Sequence, residues 1–342
     1  MKIATTVVYA SNQREALDQV VAYEQAGLDI YWVPEAYGFD APTTLGYLAA
    51  KTSRIELGSA IMNVYSRTPS CIAQTAAGLD FVTGGRAILG LGASGPQVIE
   101  GFHGIPYAKP IARTKEVIDL VRRALKREVL TSDGIVKLPL PAGQGTGLAK
   151  PLKLLTHPVR PAVPCFVAAL ADKSVESTAA NADGWIPIFY SPEKAKAVWG
   201  DALAAGKAKR SDALGPLDIV AGGMVVIGDD VKKYLELARP QLALYIGGMG
   251  ARGKNFYYDV ACHYGYEEQA KQIQDLYLSG KKAEAEALVP LEMLEQTNLV
   301  GPESYVKERI AAYRESGVTI LNVGFVTPDA VQIIEKLKTW TA

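Results

Sequence analysis

Eight short runs of apolar, largely β-branched residues recur along the chain, and few folds accommodate that many. They are Ile3–Val8, Ile30–Val33, Ile55–Ile61, Ala87–Leu91, Cys165–Ala168, Trp185–Ile188, Ile219–Ile227 and Thr319–Val323. Most are continuous rather than alternating, the pattern of strands buried on both faces. Helical periodicity fills much of the space between them. Arg14–Ala26 sets Leu17, Val20 and Val21 on one stripe and stops at Gly27. Ala112–Arg127 groups Val117, Leu120, Val121 and Leu125, and Lys173–Ala180, Pro192–Ala205, Pro302–Ser316 and Asp329–Leu337 read similarly. This alternation predicts an α/β fold, a TIM-like (β/α)8 barrel, with an open doubly wound sheet as the alternative.

Two segments exceed the simple alternation. Residues 133–164 are rich in Pro and Gly, and residues 229–300 are helical with charged and aromatic stretches. Both read as insertions on one barrel domain spanning 1–342. Lys plus Arg and Asp plus Glu each total 36, so the formal net charge is zero. Nothing there points to nucleic acid or an acidic membrane surface. The three cysteines, Cys71, Cys165 and Cys262, have no short spacing, which argues against a disulfide framework or a metal site. No apolar run approaches the ~18 residues of a membrane span. The start, "MKIATTVVYA", lacks the parts of a signal peptide. The expectation is a soluble cytoplasmic protein.

The stretch Arg86–Gly95, "RAILGLGASG", contains a literal G-x-G-x-x-G. A dinucleotide fingerprint needs a strand, a tight turn and an immediate helix. Here the following "PQVIEGFHGIPYAKP" is broken by Gly101, Gly104, Pro106 and Pro110, and the loop follows the fourth strand rather than the first. A Rossmann site is disfavoured. The loop can still cradle a phosphate through unobstructed N–H groups and the Ser94 hydroxyl, and in a barrel it faces the active-site end.

With its neighbours the loop becomes specific. "RTPSCIAQTAAGLDFVTGGRAILGLGASGP" resembles the luciferase-like monooxygenase superfamily, in its branch dependent on the deazaflavin coenzyme F420. "YEQAGLDIYWVPEAY", "RIELGSAIMNVYSRTP", "ANADGWIPIFYSPEKA" and "LVGPESYVKERIAAYRESGVTIL" extend the likeness over nearly the whole chain. The resemblance implies hydride transfer at the C-terminal mouth of the barrel, commonly in a homodimer. It places a non-proline cis peptide behind the deazaflavin ring at Ala60–Ile61. It gives Asn63 a hydrogen bond to the pyrimidine end of the ring and sets Tyr65 in the pocket wall or as proton donor. Gly92, Ala93, Ser94 and Gly95 would hold the phosphate or ribityl chain, with Ala168, Ala169 and Leu170 as a second backbone clamp.

The departures matter as much. Sugar-phosphate dehydrogenases of this superfamily carry Asp-His at the end of the second strand, where this chain has Glu35-Ala36, and a glutamate where it has Gly95. Oxidation of a sugar hydroxyl lacks its acid–base pair. Glu35 is left as the carboxylate nearest the ring, either moving a proton or bonded structurally at the strand end. His103 follows the glycine loop, and His157 lies in the Pro-rich excursion expected to cover the site. His263 reads as structural. Arg67, Lys150, Arg160 and Arg252 are candidate anchors for the coenzyme's acidic tail. The expected activity is an F420-dependent oxidoreductase acting on a small enone, carbonyl or imine. The alternatives are an FMN-dependent monooxygenase on the same fold and a cofactor-binding protein without turnover.

Overall fold

Eight parallel strands close on themselves: β1 (Lys2–Thr6), β2 (Ile30–Val33), β3 (Glu56–Ser59), β4 (Ala87–Gly92), β5 (Cys165–Ala168), β6 (Gly184–Ile186), β7 (Asp218–Ala221) and β8 (Ile320–Asn322). Each pairs with the next in the chain, and β8 pairs back to β1 through Lys2 opposite Ile320. The protein is a (β/α)8 barrel. The computed structural model describes residues 1–7 and 13–342, so Val8, the last residue of the first expected strand, lies outside the described residues.

The period-two pleat of each strand divides its side chains between two cores. Ala4, Ile30, Trp32, Ile88, Phe166, Val220 and Ile320 form a cluster of their own inside the barrel. Trp32 and Phe166 meet at 5.7 Å between ring centroids. Glycines make room for them. A Cβ on Gly58 would lie 2.2 Å from the Trp32 ring, and one on Gly184 would lie 2.4 Å from Phe166. Ala60 and Ile186 rest on this cluster and form the floor of the barrel mouth. The outward residues of the strands pack under the surrounding helices in the larger core.

Helices were expected after six of the strands, and helices Ala41–Ala49 and Pro69–Thr83 complete the ring. Asp40 caps the first by accepting from the Thr43 N–H. The second starts on the Thr68 cap and stops at Gly84, whose φ of 66° is the left-handed ending that glycine permits. Of its eight buried residues, three are alanine (Ala73, Ala76, Ala77) and two are polar (Asp80, Thr83), which makes the amphipathic signal weak.

The run Ile219–Ile227 is not one strand. It is interrupted at Gly222 and Gly223, where the backbone runs so close to its neighbours that a Cβ on Gly222 would sit 2.2 Å from the Asn322 carbonyl oxygen and one on Gly223 1.9 Å from that of Thr297. Met224–Ile227 leaves the barrel and pairs in parallel with Leu299–Gly301 and Gly324–Phe325. This small sheet ties the end of the 229–300 segment beside the end of β8.

Connection order decides which end of the barrel each excursion occupies. The 229–300 segment follows a strand and builds helices, among them Arg239–Gly248 and Phe256–His263, on the mouth side. The 133–164 segment precedes a strand, so it lies at the opposite end. Arg160 there binds Asp80 and the carbonyl of Ala87, the first residue of β4.

Candidate active site

The mouth is built from residues just beyond the strand ends. After β3 the Ala60–Ile61 peptide is cis. Gly92, at the end of β4, comes so close that a Cβ there would lie 2.8 Å from Ile61 Cδ1 and 3.6 Å from Ala168 Cβ. Ser94 takes a left-handed φ of 57°, and no atom lies within 4 Å of where a Gly95 Cβ would stand. The N–H groups of Ser94 and Gly95 have no acceptor among the described residues. One side of the loop is therefore packed on β3 and β5, while its tip presents open space and free donors.

At the end of β5 the main chain is partly committed. The Ala169 carbonyl accepts from Trp185 Nε1 and the Leu170 carbonyl from Trp199 Nε1, both at 2.8 Å. At Ala169 and Leu170 the N–H side is what remains for a ligand, while Ala168 is still paired in the ladder. Opposite, Thr6 and Asn322 pair across β1 and β8, with Asn322 Nδ2 donating to Thr6 Oγ1 at 3.1 Å. Sequence reasoning missed this polar pair; the inward register of the two strand ends was its only signal.

Glu35 is buried and fully engaged. Its carboxylate accepts from Arg67 Nη1 and Nη2 at 2.7 and 2.8 Å, and from the Ala41 N–H at 3.1 Å. Arg67 Nη2 also donates to Asp40. The Glu35 hydrogen bond heads the causes that raise the Arg67 guanidinium above its ordinary value. Burial pushes Asp40 up, but hydrogen bonds from Thr43 and Arg67 outweigh it and hold the carboxyl below its ordinary value.

Asn63 is a hub. Its Oδ1 accepts from the N–H groups of Tyr65 and Ser66, which fixes the amide orientation. Nδ2 therefore faces His103 Nε2, at 3.2 Å. With that ring nitrogen accepting, the neutral imidazole carries its proton on Nδ1. The Tyr65 hydroxyl donates to the Ala108 carbonyl at 3.0 Å. Its ring stacks on Tyr107 at 5.3 Å and lies under Arg113 at 4.7 Å. Burial raises the Tyr65 phenol against the opposing pull of Arg113, and pushes Tyr107, whose hydroxyl donates to the Ser94 carbonyl, up to about 12.

The other expected site residues fall elsewhere. His157 and Arg160 were placed over the mouth, but both belong to the far-end excursion. His157 meets Arg127 there. Lys150 lies in the same excursion, beside Leu152, whose carbonyl is held by the Leu130 N–H. Arg252 pairs with Asp275 inside the 229–300 segment. His263 lines an outer groove with Asp172, Glu176 and Asp201. No metal-binding group of His, Cys, Asp or Glu occurs among the described residues.

Aromatic rings surround the mouth. Phe189, after β6, meets Tyr245 at 5.3 Å, and Tyr245 meets Tyr257 at 4.7 Å. Burial, then the neighbouring Tyr37, raises the Tyr245 hydroxyl, so the insertion approaches the loop after β2.

The luciferase-like monooxygenase family matches residues 1–319. A Mycobacterium tuberculosis protein, provisionally named a coenzyme F420-dependent oxidoreductase, is 39% identical over 332 residues, 94% of each chain. The 5,10-methylenetetrahydromethanopterin reductase of Archaeoglobus fulgidus is 26% identical, covering 92% of this chain and 91% of its own. Among solved structures, the coenzyme F420-dependent tetrahydromethanopterin reductase of Methanopyrus kandleri superposes with a TM-score of 0.77 at 22% identity, over 98% of this chain and 96% of that one.

Proposed function

We infer the reaction from one premise: the chain belongs to the luciferase-like monooxygenase family. It is an F420-dependent oxidoreductase that moves a hydride between the coenzyme and a small enone, carbonyl or imine. The observation that carries this reading is the 39% identity, over 94% of each chain, to a relative named for that coenzyme.

The residues fit the group. The glycine loop is packed on Ile61 at Gly92, yet open at Gly95 with free N–H donors at its tip. Such a cradle suits a phosphate. Gly92, Ala93, Ser94 and Gly95 would hold the tail, assisted by the N–H groups of Ala169 and Leu170, with the small Ala168 side chain allowing close approach. Ala60 and Ile61 would back the ring, next to Asn63. When bound, F420 supplies the hydride-carrying carbon, and the protein supplies position and electrostatics.

The chain's own groups then divide the remaining work. Glu35 holds Arg67 and the start of helix Ala41–Ala49 rather than a substrate proton, because both its oxygens are occupied. Tyr65 has its hydroxyl committed to a backbone carbonyl and serves as wall. His103, held by Asn63 with its proton on Nδ1, is the donor for a substrate oxygen or nitrogen that gains negative character, and water supplies the proton. Cytoplasmic residence and a homodimer go with the same reading; no helix among the described residues is long and apolar enough to cross a membrane. The test is an anaerobic assay of reduced F420 with cyclic enones, simple ketones and cyclic imines. Acceptor-dependent reoxidation supports the assignment, whereas reoxidation only in the presence of oxygen contradicts it.

A further inference from the structure

Four large aromatic side chains at the mouth end are left in solvent. Tyr37 is 60% exposed, Phe39 70%, Phe102 66% and Phe256 43%. They come from three separate connections. Tyr37 and Phe39 lie between β2 and helix Ala41–Ala49, Phe102 follows β4, and Phe256 opens a helix of the 229–300 segment. Tyr37 and Phe102 nevertheless meet, with ring centroids 6.3 Å apart and planes tilted by 52°. An aromatic pair formed across two loops and left exposed at the mouth is apolar surface placed where a ligand can reach it.

The pair is continuous with the candidate site. Phe102 packs edge-on against His103 at 5.1 Å, and His103 is bonded to Asn63, two residues beyond Ile61. The charges on the Tyr37 loop are already used, since Glu35 and Asp40 both bind Arg67. That lip meets an anionic group with two carboxylates already bound to Arg67, whereas a flat apolar body gains the area of two rings.

We propose that the mouth accepts an uncharged carbonyl compound or enone with an extended apolar, preferably planar, body, which lies on the Tyr37–Phe102 pair while its polar end reaches toward His103. This rests on the oxidoreductase reading for what happens to the polar end, but the rim itself is testable without coenzyme. The probes are methyl naphthyl ketone and methyl ethyl ketone, measured by equilibrium dialysis against the intact protein. Methyl naphthyl ketone should bind at least about tenfold more tightly, and Tyr37→Ala and Phe102→Ala should each weaken it about tenfold, equal to about 1.4 kcal/mol. Phe81→Ala, which removes an exposed aromatic on the helix after β3, should leave binding unchanged.

A wild-type protein that does not prefer the naphthyl ketone overturns the proposal, as does an equal loss in Phe81→Ala. So does a change of sedimenting species in Tyr37→Ala or Phe102→Ala, which would assign the pair to a protein interface. A parallel F420 titration separates the two readings. Absence of F420 binding in the wild type sinks the coenzyme assignment, while the ketone comparison still decides the rim.

Discussion

Glu35 shares both oxygens with one guanidinium, so its contribution is best measured by removing its charge alone. Glu35→Gln leaves Arg67 half-paired in a largely buried setting, and the expected loss is about 3 kcal/mol in urea unfolding. Activity per folded molecule should fall only a few-fold with an unchanged pH profile; loss of one limb of that profile would make Glu35 a proton carrier instead. Asp40, in the same network, is held below its ordinary value of 3.8. Its stabilising contribution is therefore complete above that value and is lost as pH falls through the lower folded-state value. An acid titration of the wild type should lose stability below about pH 4, and Asp40→Asn should flatten that part of the curve. Gly92 and Gly95 offer a paired test. Gly92→Ala forces a Cβ onto Ile61, at an expected cost of about 1–3 kcal/mol. Gly95→Ala meets nothing and has an ordinary φ of −111°, so stability should stay within about 0.5 kcal/mol while coenzyme affinity drops. Single residues were legible by type and place, since the loop positions stand out as glycines. Their partners were not: the Asn63–His103 bond joins positions 40 apart, and Glu35 meets Arg67 across 32.

The elements were legible in proportion to the strength of their periodicity. Strands buried on both faces leave continuous apolar runs, and all eight barrel strands lie within or overlap such a run. Helix Pro69–Thr83 hid because alanines and the polar Asp80 and Thr83 dilute its core face, and Met224–Ile227 hid because no polar residue separates it from β7. The placement of the Pro-rich excursion was recoverable from strand–helix order, since a segment entering a strand lies away from the mouth. Arg160 shows what the far end does. Asp80 is fully buried, and Arg160 is its ionic partner. Arg160→Ala strands that carboxylate and should destabilise the protein by about 3–5 kcal/mol in thermal or urea unfolding, with coenzyme affinity of the folded protein unchanged. A fall in affinity at unchanged stability would return Arg160 to the binding site.

At the level of the molecule, the barrel and its glycine loop could be read from the chain, but the shape of the mouth could not. That shape depends on where the 229–300 segment brings Tyr245 and Tyr257 against Phe189, and no local pattern encodes such a meeting. The central claim concerns the coenzyme, because a barrel of this kind can host several chemistries. The most direct measurement is a fluorescence titration of the purified protein with oxidised F420 and, separately, with FMN. Tight F420 binding, weakened by Gly95→Ala, together with weak FMN binding is the expected result. Tight FMN binding without F420 binding would contradict it and make oxygen chemistry the subject, and binding of neither would reduce the glycine loop to a turn.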